Sequence, residues 1–76
     1  MALHSQQRHA EAAEVYREVI RLEPGYAWAH RGLGISLHSL QRYGEAAEAY
    51  REAIRLDPGE PTFHLELRHV LAAQKR

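Results

Sequence analysis

Apolar residues recur along this chain at steps of three and four. Between His9 and Leu22 they are Ala12, Ala13, Tyr16, Val19 and Ile20, while Glu11, Glu14, Arg17, Glu18 and Arg21 fill the other side. That is the pattern of an amphipathic helix with one buried stripe. Glu14 and Arg17, and likewise Glu18 and Arg21, stand three apart on the outer side; such pairs are worth a few tenths of a kcal/mol each, roughly. The same pattern returns from Tyr43 to Leu56. Pro24-Gly25 and Pro58-Gly59 stop the two helices, because proline disfavours helical geometry in the residue before it and glycine relaxes the turn. Between them, Ala27 to Gln41 carries Leu33, Leu37 and Leu40 on one stripe, with Gly32 and Gly34 inside it. A mid-helix glycine costs about 1 kcal/mol against alanine, so a helix here predicts close approach of a neighbour, expected where Gly34 meets Ala46. A last helix is expected from about Glu60 to Lys75.

The segments are related to one another. His4 to Gly25 recurs as His38 to Gly59, an offset of 34, and sliding the whole chain by that offset aligns 42 pairs, of which 21 are identical. Leu3/Leu37, His30/His64 and Leu33/Leu67 belong to the match although they lie outside the longest block. A helix-turn-helix unit of this length cannot bury its apolar face alone and stacks on copies of itself.

The full unit reads His30-x2-Leu33-Gly34-x2-Leu37, then Ala46-x3-Tyr50, then Pro58. This resembles the tetratricopeptide repeat, whose pattern is W-x2-L-G-x2-Y, then A-x3-F, then P. Ala12-x3-Tyr16 with Pro24 before it, and His64-x2-Leu67-Arg68-x2-Leu71 after it, look like halves of further units. The resemblance covers essentially the whole chain and implies an all-α fold, a right-handed superhelical α-solenoid of antiparallel helix pairs. Its expected organisation is a partial repeat over 1–26, mostly its second helix, a complete repeat over 27–60, and a terminal capping helix over 61–76. His30 and His64 replace the family's tryptophan, Leu37 and Leu71 its tyrosine, and Arg68 its small residue.

Ten basic and ten acidic side chains cancel, which removes the field that drives phosphate binding and argues against a nucleic-acid partner. No apolar run approaches the roughly 20 residues that cross a bilayer, and the N-terminus has no apolar signal core; membrane insertion is not expected and the cytoplasm is the default compartment. Nine of the ten basic residues are arginine, a bias of GC-rich coding that points to a bacterial source. A chain of 76 residues without cysteine has a thin core and relies on regular helix packing or self-association.

By resemblance, first helices line a concave groove that receives a protein or peptide partner. The groove positions are Trp28, Arg31, Ile35, His38 and Ser39, with His4 before them and Leu65 and His69 after. Trp28 and Arg31, of types enriched among interface hot spots, are the expected anchors for an apolar or amphipathic segment carrying an acidic residue. The competing reading packs Trp28 against Tyr26 and Met1. The places where carboxylate-clamping relatives carry lysine and asparagine hold Arg31, Gly32, Ile35, Thr62 and Glu66, which disfavours such a clamp.

Six histidines raise the question of a metal. No H-x3-H pair exists, and no carboxylate accompanies His4, His38 and His69, so neither a metal site nor any cofactor is expected. His30 and His64 stand at packing positions. Catalysis has no footing either: Ser5, Ser36 and Ser39 near His4 and His38 lack an orienting carboxylate, and no phosphate-cradling loop or metalloprotease motif occurs. The expectation is a non-catalytic scaffold, with self-assembly through open repeat ends as the alternative. Two details accompany it: Arg68 blocks close approach of a following helix, and the few residues Met1 to Gln6, read as the remnant of a leading helix, leave Val15, Tyr16 and Val19 short of cover.

Overall fold

A computed structural model describes residues 2–76, with side chains from Gln6 onward. Four helices follow in order: α1 (Ala2–Leu22), α2 (Ala27–Ser39), α3 (Tyr43–Leu56) and α4 (Pro61–Gln74). α1 packs on α2, α2 on α3 and α3 on α4, and the resulting slab measures 36 × 31 × 16 Å. Consecutive antiparallel helices stacked in one direction form an α-solenoid.

The turns repeat with the sequence. After α1 the Glu23 amide donates to Val19 O (2.7 Å) and Tyr26 N to Glu23 O (3.1 Å); after α3, Asp57 N donates to Ala53 O (2.9 Å) and Glu60 N to Asp57 O (3.3 Å). Pro61 opens α4, where the Glu60 carboxylate accepts from Thr62 N at 3.2 Å, a proline start with a side-chain cap. The turn from α2 to α3 is tighter. Arg42 N reaches Leu37 O (2.8 Å) and Gln41 N reaches His38 O (2.9 Å), with Gln41 at φ 64°, a Schellman closure with glutamine in the left-handed position that glycine usually takes. One period earlier the equivalent residues, Gln6 to Arg8, lie inside α1. The segment expected as the remnant of a leading helix therefore runs on as the first turns of α1.

The core is built from small residues closing on a few large ones. Tyr50, Phe63 and Val70 are the largest fully buried side chains. Tyr50 and Val70 lie with Leu37, Ala46 and Ala47, flanked by Leu33, Ile35, Tyr43, Leu67 and Leu71. Phe63 packs with Ala27 and Ala53. The two mid-helix glycines of α2 are explained by tyrosines: a Cβ at Gly32 would lie 2.4 Å from the Tyr16 ring, and one at Gly34 would lie 2.9 Å from the Tyr50 ring. Close approach was expected at Gly34, but the ring of Tyr50 makes it, not Ala46. α2 is thus clasped between one tyrosine from α1 and its period-mate from α3.

Candidate functional site

α2 and α4 lie side by side, joined by side chains at a constant offset of 35 residues. The first joint is aromatic: Trp28 meets Phe63 edge to face, centroids 4.9 Å apart and planes at 70°. Phe63 is fully buried and Trp28 is 42% exposed. The second joint is ionic. Arg31 Nε donates to Glu66 Oε1 at 2.9 Å and Nη2 to Oε2 at 2.8 Å, a bidentate fork with planar specificity. Both side chains are partly covered, and the Arg31 guanidinium carbon also stands 5.4 Å from the Trp28 ring centroid, within cation–π range. The hydrogen bond that Arg31 donates to Glu66 raises the Arg31 pKa above its usual value, against the desolvation that opposes it.

Below this joint, toward the C-terminal end of α2, a cleft of about 240 Å³ opens, lined by Ile35, His38, Ser39, Tyr50, Glu66 and His69. Tyr50 comes from α3, beneath the two groove helices. Burial, assisted by the Glu66 charge and opposed by Arg31, raises its pKa from 10.0 to about 12, so the phenol is neutral in use. The ring of His38 is held edge-on to Tyr43, centroids 5.5 Å apart at 67°.

The structure brings four of the expected groove residues, Ile35, His38, Ser39 and His69, to one cleft. Trp28 and Arg31 stand on the adjoining face of α2. Leu65 is exposed on α4 (53%) and does not line the cleft, and the side chain of His4 lies outside the described residues. Trp28 packs on Phe63; of the neighbours named by the competing reading, Tyr26 is half exposed and Met1 lies outside the described residues. Arg31 has an acidic partner within the chain. Glu66 and Tyr50 were absent from the expected groove set, yet both had a signal. Trp28/Phe63 and Arg31/Glu66 are an aromatic pair and an opposite-charge pair at one offset, and Glu66 replaces Gly32 one period on, where a tyrosine ring is the neighbour.

A second cleft of about 420 Å³ lies where Arg17 of α1 and Glu45, Glu48, Ala49 and Glu52 of α3 flank His30, Leu33 and Leu37 of α2. Its charges are matched locally: Arg17 lies 3.7 Å from Glu14 and 3.9 Å from Glu45, Arg51 4.0 Å from Glu48, and Arg55 pairs with Glu52. His30, at its edge, donates from Nε2 to Pro24 O at 3.1 Å, and His64 repeats the bond to Pro58 O at 3.3 Å. The histidines that replace the family's tryptophan therefore tie each groove helix to the preceding proline turn. Among the described residues no group of three or more histidine, aspartate or glutamate side chains is placed to hold a metal ion, and no helix is long and apolar enough to cross a membrane.

A family model described as tetratricopeptide repeat matches residues 1–61, leaving all of α4 beyond its first residue outside the match. No curated protein and no solved structure matches the chain.

Proposed function

The chain belongs to the tetratricopeptide repeat family, whose repeats mediate protein–protein interaction, and from that premise we propose a non-catalytic scaffold that holds a peptide or helix between α2 and α4. The observation that carries this reading is the gathering of Ile35, His38, Ser39 and His69, from two helices, around one cleft. Its chemistry suits an amphipathic segment: an aliphatic side chain over Ile35, with hydrogen-bonding groups toward His38, Ser39 and His69. Trp28 extends the surface. An acidic residue of the partner has to compete with Glu66 for Arg31, so it is a secondary feature of the segment.

The test is a displayed library of random peptides selected on the chain, followed by calorimetric titration of the selected peptides. Ser39→Trp, which fills the cleft from an exposed position, and His69→Ala are expected to weaken binding by about tenfold or more, roughly 1.4 kcal/mol, with melting temperatures near wild type. Selected peptides that bind both variants with unchanged affinity refute the groove reading. A second reading, self-assembly through the open repeat end, is favoured by Val15 and Leu22 of α1, which are 61% and 65% exposed.

A further inference from the structure

Of the four tyrosines only Tyr50 is buried, with 2% of its surface exposed. A tyrosine hydroxyl at such depth ordinarily has a hydrogen-bond partner. Among the described residues, none of the hydrogen bonds involves Tyr50. Nor, among those residues, is any wholly enclosed side-chain oxygen or nitrogen left without a partner. The Tyr50 hydroxyl is therefore not enclosed: it is the part of the side chain that stays open, and the space it faces is the cleft that Tyr50 lines with Glu66.

Glu66 brings the complementary function. Arg31 donates one hydrogen bond to each of its carboxylate oxygens, and a carboxylate accepts at about four sites, so each oxygen keeps capacity for a further donor. The charges of Glu66 and Arg31 both act on the ionisation of Tyr50, in opposite senses, which sets the hydroxyl beside the fork. A donor without an acceptor and an acceptor with room to spare thus stand together in one cleft.

The cleft measures about 240 Å³, below the roughly 300 to 1,000 Å³ of pockets that enclose whole small ligands, and suits one side chain of a docked segment. A charged side chain meets a like charge either way, a carboxylate at Glu66 and an ammonium or guanidinium at Arg31. An aliphatic one seals the Tyr50 hydroxyl from water and leaves it unpaired. A serine or threonine hydroxyl has both functions, but its short stem leaves much of the cleft empty. A primary amide is neutral and carries an acceptor oxygen and a donor NH2 side by side. His38, Ser39 and His69 each have both donor and acceptor capacity, so they accommodate this group without selecting it.

We propose that the cleft reads one asparagine or glutamine side chain of the partner, whose amide oxygen accepts from the Tyr50 hydroxyl and whose NH2 donates to Glu66. This rests on the groove reading and names the residue type that the groove selects.

The experiment uses the peptides selected on the intact chain. Those whose binding Ser39→Trp weakens are the cleft binders, and each of their asparagines and glutamines is replaced in turn by the matching acid and by leucine or methionine. At one position the acid should weaken binding by about tenfold or more and the apolar residue by about fivefold. Tyr50→Phe should melt with wild type at neutral pH, because the hydroxyl has no partner to lose among the described residues, and should bind the amide peptide about fivefold more weakly. It should bind the apolar-substituted peptide no more weakly than wild type does, a coupling that a change in folding alone does not produce. Glu66→Gln should reverse the preference between amide and acid, since Arg31 is then free to meet a carboxylate. If no selected peptide responds to Ser39→Trp or His69→Ala, the groove reading falls and this inference with it. Cleft-binding peptides that lack asparagine and glutamine, or that bind as well with the acid, overturn the amide alone. So does unchanged affinity in Tyr50→Phe, which would mean that water meets the hydroxyl in the complex, or a clear drop in its melting temperature, which would mean that the hydroxyl has a partner within the chain.

Discussion

Replacing Trp28 by alanine should cost this chain about 2 kcal/mol of stability. A fully buried tryptophan truncated to alanine loses about 3 to 5 kcal/mol. Trp28 is 42% exposed, so a little over half of that applies, about 2 kcal/mol. Within that figure, the edge-to-face contact with Phe63 at 4.9 Å accounts for about 1 kcal/mol. The Arg31 guanidinium at 5.4 Å adds about 0.5 kcal/mol at a site this open. In a domain of this size each kcal/mol moves the melting temperature by roughly 4 to 8 °C, so the variant should melt about 8 to 16 °C below wild type. Circular dichroism at 222 nm with thermal and urea denaturation reads it. Trp28→Phe is the control and should recover most of the loss. Phe63→Leu in both backgrounds isolates the aromatic term, with a coupling of about 1 kcal/mol expected. A shift under about 2 °C for Trp28→Ala, or strict additivity with Phe63→Leu, would refute the claim that this ring fastens α4 to α2.

Further outcomes follow from the same contacts. A double-mutant cycle of Arg31→Met and Glu66→Gln should return a coupling of about 1 kcal/mol that shrinks in high salt, since the fork is well formed but only partly covered. Tyr50 ionises in the unfolded chain near pH 10 and in the folded protein near pH 12. Its raised folded pKa means that the unfolded state loses the proton first as pH rises; the stability is complete below pH 10 and declines from there to about pH 12, by at most about 3 kcal/mol. Alkaline denaturation of Tyr50→Phe should lack that decline. Gly34→Ala should destabilise by about 1 to 3 kcal/mol despite its better helix propensity, because the Tyr50 ring 2.9 Å away is buried. Gly32→Ala should cost less, because the Tyr16 ring at its back is only partly covered and can swing aside. His30→Ala, which frees the carbonyl of Pro24, should cost about 1 kcal/mol and His64→Ala less, given the greater exposure of that bond; chemical denaturation separates them.

The helices, their order and the proline turns were legible because a 34-residue period and a three-four apolar spacing report the same elements independently. That Ile35, His38 and Ser39 share a helix face was legible for the same reason, and the resemblance set His69 across from them, around what the structure shows as one cleft. What was not legible lay between helices. The partner of Arg31 is Glu66, 35 residues on, and a period of 34 compares a residue with its own copy, never with the neighbour that faces it across the stack. Trp28 was read as an anchor on the groove surface, with packing on Tyr26 and Met1 as the competing reading, and its contact with Phe63, at the same cross-helix offset, belonged to neither. Gly34 was matched to the right helix but the wrong side chain, because a small residue suggests another small residue when the ring it accommodates is a full turn away. The start of α1 was misjudged for a different reason. The residues Leu40 to Arg42 turn, whereas their near-copies Gln6 to Arg8 continue the helix, so the local sequence alone does not decide the turn.

The joint between α2 and α4 also has a consequence for ligand entry. Each helix of the slab packs along its length on its sequential neighbours, whereas α2 and α4 are fastened across the groove by the Trp28–Phe63 and Arg31–Glu66 contacts. Terminal helices of repeat arrays are where local opening is cheapest, and α4 closes one side of the cleft. On the proposed groove reading, a segment docked there would draw on His69 from α4 and Ser39 from α2 together, so it would bind only the state in which α4 is seated. Docking and the ordering of α4 would then share one free energy: a ligand should protect the amides of α4 from exchange, and any substitution that loosens either fastening should lower affinity in proportion to the fraction of time α4 spends detached.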